Sequence, residues 1–243
     1  MNTKNIDFIK TKLKRDTNGY KSATGRNHKG QITMWHRGGR GQRVYRSIDF
    51  LRKQTNGIVV GLEHDPNRTA FIARIFNPDK GINNYMLAPT ELSVGDTIRS
   101  NSEQSKNGHS QRLRYIPTGF SVHNLSKTPG GEAKFLRAPG SFGVLVKKTK
   151  TAAYVKLKSG KIYCFNIDTI ASLGVVSNSN KKFKKLKKAG QSRWVGRRPT
   201  VRGVAMNPID HPHGGGEGKT SGGRPSVTPW GKPTRGKITR RRI

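Results

Sequence analysis

The sequence predicts a mostly β fold, with two small barrels between highly basic arms. Short segments of alternating apolar and polar residues recur through the middle of the chain, separated by Gly, Pro, Asn and Asp turn signals. Hydrophobic residues make up only 31% of the 243 residues, which is too little for one large core. The net charge is +10 over residues 1–46, +9 over the much longer stretch 47–180 and +16 over 181–243. This distribution indicates a folded centre with two basic extensions.

The overall charge of +35 indicates a polyanionic partner. Such a charge opposes compaction unless a polyanion neutralises it, and nucleic acid is the commonest partner of that kind. An anionic membrane surface is the alternative, but the sequence has no apolar run of about 18 residues, so we expect no membrane partner. The single cysteine, Cys164, excludes an internal disulfide and a cysteine-based zinc site.

The N-terminal arm, residues 1–43, is predicted to contact nucleic acid. A turn signal stands at residues 17–19, and further on glycines separate arginines. This spacing lets the backbone lie close to a phosphate while each guanidinium reaches an oxygen. The alternative is a flexible, solvated loop, which the net charge makes the weaker interpretation. The candidate contact residues of the arm are Arg26, His28, Arg37, Arg40 and Arg43.

The first barrel is predicted over residues 44–100. About five short strands in this length are typical of a small closed barrel of the oligonucleotide-binding type. The predicted strand segments are 44–50, 58–63, 70–76, 85–87 and 94–98. A Ser-, Asn- and Gln-rich stretch at 100–111 is the predicted boundary.

The second barrel is predicted over residues 112–178. Its five segments and scarcity of helix indicate a compact SH3-like barrel, with a hairpin turn at 158–161. The predicted strand segments are 121–125, 142–147, 154–157, 161–165 and 172–176. The pattern alone does not determine the topology of either barrel.

Residues 179–243 are predicted to form a basic helix followed by an extended tail. Ser179 or Asn180 can cap a helix that runs to Ala189, and Gly190 can end it. Six lysines on this helix, including Lys182 and Lys185, repel one another, so a phosphate partner explains them better than a solvated surface does.

The tail after the helix has almost nothing with which to build a core. Its apolar residues follow neither the period of a strand nor that of a helix, so it is expected to become ordered only against a large anion. For the indoles we favour stacking on bases, and for the cations phosphate contact. The candidates are Arg193, Trp194, Arg197, Arg198, Arg202, Asn207, His211, His213, Gly214, Gly215, Gly216, Lys219, Arg224, Trp230, Lys232, Arg235 and Lys237.

The sequence contains no convincing catalytic or metal site. His211 and His213 beside Asp210 could suggest a general base or a metal ligand, but no helix aligns them and no nucleophile is identifiable. Our hypothesis is that both histidines position RNA by hydrogen bonding or stacking. The run Gly214–Gly218 lacks the spacing and the strand–helix context of a phosphate loop. We expect no enzyme activity, no cofactor and no small-molecule substrate, and any Mg²⁺ to belong to the RNA.

The tail motifs identify a family. RPTVRGVAMNP at 198–208, DHPHGGGEG at 210–218 and TPWGKPT at 228–234 resemble ribosomal protein L2 (uL2) of the large subunit, as do HRGG at 36–39 and DPNR at 65–68. The resemblance covers about residues 24–239. It implies an oligonucleotide-binding barrel, an SH3-like barrel and an extended tail, in agreement with the strand pattern.

The implied role is to bind large-subunit rRNA, support the peptidyl transferase region and assist subunit association. The implied partners are large-subunit rRNA, neighbouring ribosomal proteins and the small subunit across the interface. A non-ribosomal RNA-binding factor or chaperone is the alternative. The Lys/Asn-rich composition and the missing targeting segment favour a mitochondrial ribosome, with a bacterial cytoplasm or a plastid as the alternative.

Overall fold

The computed structural model describes residues 17–20, 23–52, 56–101, 104–218 and 223–236 and confirms the mostly β fold class. Within these residues the chain forms one short α-helix, α1 (Ala189–Trp194), and fourteen strands. The strands are β1 (Thr17–Tyr20), β2 (Arg43–Arg46), β3 (Gly57–His64), β4 (Phe71–Asn77), β5 (Ile82–Leu87), β6 (Thr97–Ile98), β7 (Ser110–Arg112), β8 (Ser121–His123), β9 (Leu125–Ser126), β10 (Ala133–Phe135), β11 (Gly143–Lys148), β12 (Ala152–Leu157), β13 (Ile162–Asn166) and β14 (Ile170–Leu173).

The first sheet has the strand order β5-β4-β3-β6 and is antiparallel throughout. Burial alternates along β3, as expected for a strand with one face toward a core. The core residues Val59, Ile75, Met86 and Ile98 are almost fully buried. A register shift between Val59 and Gly61 marks a bulge, and bulges bend and twist a sheet.

The second sheet has the order β13-β12-β11-β8-β14-β7. Its core contains Leu113, Val122, Leu145, Val155 and Phe165. The predicted hairpin turn between β12 and β13 is confirmed by hydrogen bonds from the Gly160 amide to the Leu157 carbonyl (2.8 Å) and from the Leu157 amide to the Lys161 carbonyl (2.9 Å). Two further pairs, β1–β2 and β9–β10, are antiparallel two-stranded ribbons.

The chain divides into two compact units. The barrel unit comprises residues 1–21 and 42–185 and contains both large sheets. The arm unit comprises residues 22–41 and 186–243 and therefore joins two segments that are distant in sequence. The barrel boundaries 44–100 and 112–178 stay predictions.

All ten predicted strand segments overlap observed strands, but the helix prediction over 179–189 is wrong. The chain forms a 3₁₀ turn at Ser179–Phe183, and the α-helix begins only at Ala189, so that Gly190 lies inside it. Asn178 precedes the turn with a φ of 61° and makes no side-chain cap. Phe183 is 69% exposed, so no apolar burial offsets the repulsion between the lysines.

The smaller differences between the predicted and the observed secondary structure have local causes. The turn predicted at residues 17–19 is part of β1, because this segment pairs with β2 across the ribbon. The sequence analysis missed β7 and β10, which have three residues each and too short a period-2 pattern to detect. Across the described ranges, no helix is long and apolar enough to cross a membrane.

Candidate nucleic-acid interface

The centre of the arm unit is a short backbone pairing between its two segments. Arg37 and Arg197 form an antiparallel bridge. The Gly38 amide donates to the Gly196 carbonyl, and the Arg198 amide donates to the His36 carbonyl, both at 3.0 Å. These bonds hold residues from opposite ends of the chain side by side.

Gly196 is required at this pairing for two reasons. Its φ of 81° lies in the left-handed region, which side chains other than glycine rarely adopt. A Cβ there would also lie 2.8 Å from Cγ of Arg40 and 3.1 Å from the Gly38 carbonyl oxygen. The pairing therefore needs the bare backbone of a glycine.

The pairing concentrates exposed positive charge. Arg37, Arg197 and Arg198 are all exposed, and within the described ranges no carboxylate pairs with any of them. Arg114 of the barrel unit, by contrast, pairs with Asp168 at 3.1 Å. Guanidinium groups without an anionic partner are suited to bidentate contact with phosphate.

The tryptophans predicted to stack on bases have different environments. Trp230 is 65% exposed, and its ring lies edge-on to Trp35, with 5.7 Å between the centroids. Trp194, in α1, is 63% exposed and carries the Lys188 ammonium 5.0 Å from its ring centroid. Both keep a large aromatic surface in solvent, which is the requirement for base stacking.

The two histidines accept hydrogen bonds from their own loop. The His213 amide donates to Nδ1 of His211 (3.0 Å), and the Val227 amide donates to Nε2 of His213 (3.1 Å). Each imidazole therefore uses one of its two ring nitrogens as a hydrogen-bond acceptor. His211 is only 8% exposed and packs on Gly203. Among the described residues, no hydrogen bond uses the second nitrogen of either ring.

The glycines after His213 serve the loop itself. The Gly214 amide donates to the His211 carbonyl (2.8 Å) and the Gly215 amide to the Met206 carbonyl (3.1 Å). A Cβ at Gly214 would collide with the Asn207 carbonyl oxygen. Gly214 and Gly215 thus approach protein backbone, Gly216 is exposed, and the approach of all three glycines to RNA stays a prediction.

The other predicted contact residues lie on the surface of one unit or the other. Arg43 is half-buried in β2, and Lys182 and Lys185 are exposed, all within the barrel unit. Lys219 and Lys237 lie outside the described residues. Exposed in the arm unit are Arg26, His28, Arg40, Arg193, Arg202, Asn207, Arg224, Lys232 and Arg235.

Sequence reasoning missed a cavity in the arm unit, of about 470 Å³. Residues that were assigned no role, notably Ile32, Met34 and Pro199, line it together with predicted contact arginines. No local pattern signals this cavity, because its walls come from segments about 160 residues apart. Within the ranges that the structure describes, no group of three or more His, Cys, Asp or Glu side chains could hold a metal ion.

Comparisons with known proteins match this chain to one protein family along nearly its whole length. The family described as Ribosomal Proteins L2, RNA binding N-terminal domain, matches residues 13–100, and Ribosomal Proteins L2, C-terminal domain, matches residues 106–231. The large ribosomal subunit protein uL2m of Reclinomonas americana is 50% identical over 232 residues, which cover 94% of this chain and 83% of the relative. The uL2 protein of Rickettsia felis is likewise 50% identical, covering 94% and 85%. That of Rhodospirillum rubrum is 48% identical over 238 residues, covering 96% and 85%.

Proposed function

Because this chain belongs to the ribosomal protein L2 (uL2) family, we propose that it is a structural constituent of the large ribosomal subunit that binds large-subunit rRNA. One observation carries the RNA contact: the exposed arginines Arg37, Arg197 and Arg198 meet at one backbone pairing without carboxylate partners in the described chain. Contacts of this kind bind phosphate, so specificity comes from the shape of a folded rRNA site.

The arms and barrels divide this work. The barrels grip rRNA helices, while the basic arms enter the rRNA interior and supply most of the electrostatic affinity. The strongly basic termini support this division, since 181–243 alone has a net charge of +16. We further assign the loop around His211 to the peptidyl transferase region and the protein to subunit association, with neighbouring ribosomal proteins and the small subunit as partners. These finer assignments follow the family resemblance.

The protein acts without catalysis of its own. His211 is nearly buried and uses Nδ1 within its loop, which is unfavourable for a general base. Fully assembled ribosomes carrying His211→Ala are expected to form peptide bonds at the normal rate. A large loss of peptidyl transfer in correctly assembled particles would contradict this.

The mitochondrial ribosome is the proposed location. The likeness to the uL2m protein of Reclinomonas americana supports it, while the likeness to bacterial uL2 proteins keeps the bacterial cytoplasm as the alternative. Fractionation of the source cells decides between them: the protein should sediment with large subunits from purified mitochondria, and not with those of any other compartment.

The central test is a salt titration of binding to large-subunit rRNA. A variant with Arg197→Ala and Arg198→Ala should bind more weakly and should reduce the slope of log K against log salt by about 1.4 to 1.8, the value for two lost phosphate contacts. Arg114→Ala is the matched control, because this exposed arginine already has a carboxylate partner in Asp168. Equal slopes for all three proteins would refute the assignment of these arginines.

Co-sedimentation separates a ribosomal constituent from an RNA chaperone. A constituent should stay with large subunits through a high-salt wash, whereas an exchanging factor should be released.

A further inference from the structure

The cavity of the arm unit has two chemically different walls. Ile32, Met34 and Trp35 form an apolar part, and they are 56%, 52% and 37% exposed. Three large apolar side chains around one concave surface are unusual in a protein without a partner there. The cavity volume of about 470 Å³ lies within the range of small-ligand sites.

The rest of the wall is cationic. Arg26, Arg37, Arg193 and Arg198 line the cavity, and in the described part of the chain none of them has a carboxylate partner. The only acidic residues in the sequence of the arm unit are Asp210 and Glu217, and neither lines the cavity. The charge of this wall is therefore uncompensated.

Several contacts hold the walls in place. The guanidinium of Arg26 donates to the Gly30 carbonyl at 2.7 Å, and Nε of Arg37 lies 3.1 Å from the Met34 sulfur. The Arg198 amide bond to the His36 carbonyl joins the two sides. Trp230 packs edge-on against Trp35 and limits the orientations of that indole. A site held in this way loses little entropy when a ligand binds.

We propose that this cavity takes a single unstacked nucleotide of rRNA, with its base against Trp35 and its phosphates at the arginines; the inference rests on the rRNA-binding function proposed above. An inorganic anion would leave the apolar wall exposed, and a purely apolar ligand would leave the four guanidinium groups without an anionic partner. A nucleotide satisfies both walls, because splayed-out bases of single-stranded RNA stack on aromatic side chains while arginines hold the backbone.

The first test compares two substitutions at one position in the full chain. Trp35→Leu keeps an apolar side chain but removes the aromatic ring, and should weaken binding to large-subunit rRNA about tenfold. Trp35→Phe keeps a ring and should stay close to wild type. The salt slope should be unchanged in both variants, because no phosphate contact is lost. Equal affinities for the Leu and Phe variants would overturn the proposal.

The second test does not depend on rRNA. In a full-length Trp194→Phe background, the remaining indole fluorescence should be quenched saturably by millimolar nucleoside monophosphates and not by inorganic phosphate. No saturable quenching by any of the four monophosphates, or the same response to phosphate alone, would overturn the proposal. Quenching by an acidic peptide, combined with no quenching by any nucleotide, would also overturn the proposal. If the wild-type protein fails to bind large-subunit rRNA while the nucleotides still quench the fluorescence, the proposed rRNA-binding function is wrong but the proposed nucleotide site stands.

Discussion

Gly203→Ala is expected to disturb the histidine loop through one steric contact. Gly203 begins a 3₁₀ turn at Gly203–Ala205, and its φ is not in the left-handed region, so the backbone accepts alanine. The added Cβ would nevertheless lie 2.5 Å from both Cε1 and Nδ1 of His211 and 2.7 Å from its Cγ. Ordinary contact begins at 3.4 Å, so the ring must move by about 1 Å.

The magnitude follows from what that movement breaks. The His213 amide lies 3.0 Å from Nδ1 of His211, and a shift of about 1 Å takes this bond outside hydrogen-bonding range. Loss of the bond costs about 0.5–1.5 kcal/mol, and overpacking at a nearly buried ring costs about 1–3 kcal/mol. If the loop binds rRNA in this shape, even a total of about 1.5 kcal/mol raises the Kd for rRNA tenfold.

The assay is rRNA binding at fixed salt, together with hydrogen exchange at the His213 amide. Gly190→Ala is the matched control, because its added Cβ has no atom within 4 Å among the described residues apart from its chain neighbours and the backbone of its own helix. Gly190 also lies inside α1, where alanine is favoured by up to about 1 kcal/mol. The double variant Gly203→Ala with His211→Ala tests the cause, because it removes the ring that the new methyl group meets.

Two results would refute the reasoning. One is that Gly203→Ala matches Gly190→Ala in both affinity and exchange. The other is that the loss of rRNA affinity in the double variant equals the sum of the losses in Gly203→Ala and His211→Ala. The methyl group must then act on something other than the His211 ring.

Three further perturbations test other parts of the molecule. Arg52 is 1% exposed, and its guanidinium donates to the Gly108 carbonyl at 3.1 Å. Arg52→Lys should therefore lower the free energy of unfolding, measured in urea, by about 2–4 kcal/mol. The control Arg114→Lys, at the surface, should change it by less than about 0.5 kcal/mol. Burial lowers the pKa of His123 to about 4, so the folded protein binds fewer protons than the unfolded chain between about pH 6.5 and 4. The stability that depends on neutral His123 should be fully present above this window, and the free energy of unfolding should fall by up to ~3 kcal/mol as the pH decreases through it. In urea titrations, His123→Gln should remove this pH dependence. Ending the chain at Val176 should lower both rRNA affinity and salt slope, and unchanged values would show that the tail is not the electrostatic anchor.

Most of the barrel strands were predictable because their signal is local. A strand with one buried face alternates along its own residues, as β3 and β12 do, and Gly160 marks the hairpin turn within four residues. The helix over 179–189 failed for the opposite reason. Its signals for a start at Ser179 or Asn180 and an end at Gly190 were present, but a helix this short depends on packing, and Phe183 is exposed rather than packed in a core.

The candidate site was predictable only as a set of residues. Charge and motif identified Arg37, Arg198 and Trp230 as contact residues, yet nothing in the sequence paired residue 37 with residue 197 or set Trp35 against Trp230. The histidines show the same limit. Their position in the tail motif was evident, while the use of Nδ1 of His211 and Nε2 of His213 within the loop was not.

By itself, the sequence determined the family, the basic arms and the β-rich centre, because composition, motif and strand alternation are properties of neighbouring residues. Only the tertiary structure decided how residues 23–41 combine with 186–218 and 223–236, which arginines share one surface, and that an apolar and a cationic wall line one cavity. Those features depend on contacts between residues about 160 positions apart in the sequence. Local patterns, such as a repeat or a strand period, do not predict contacts at that separation.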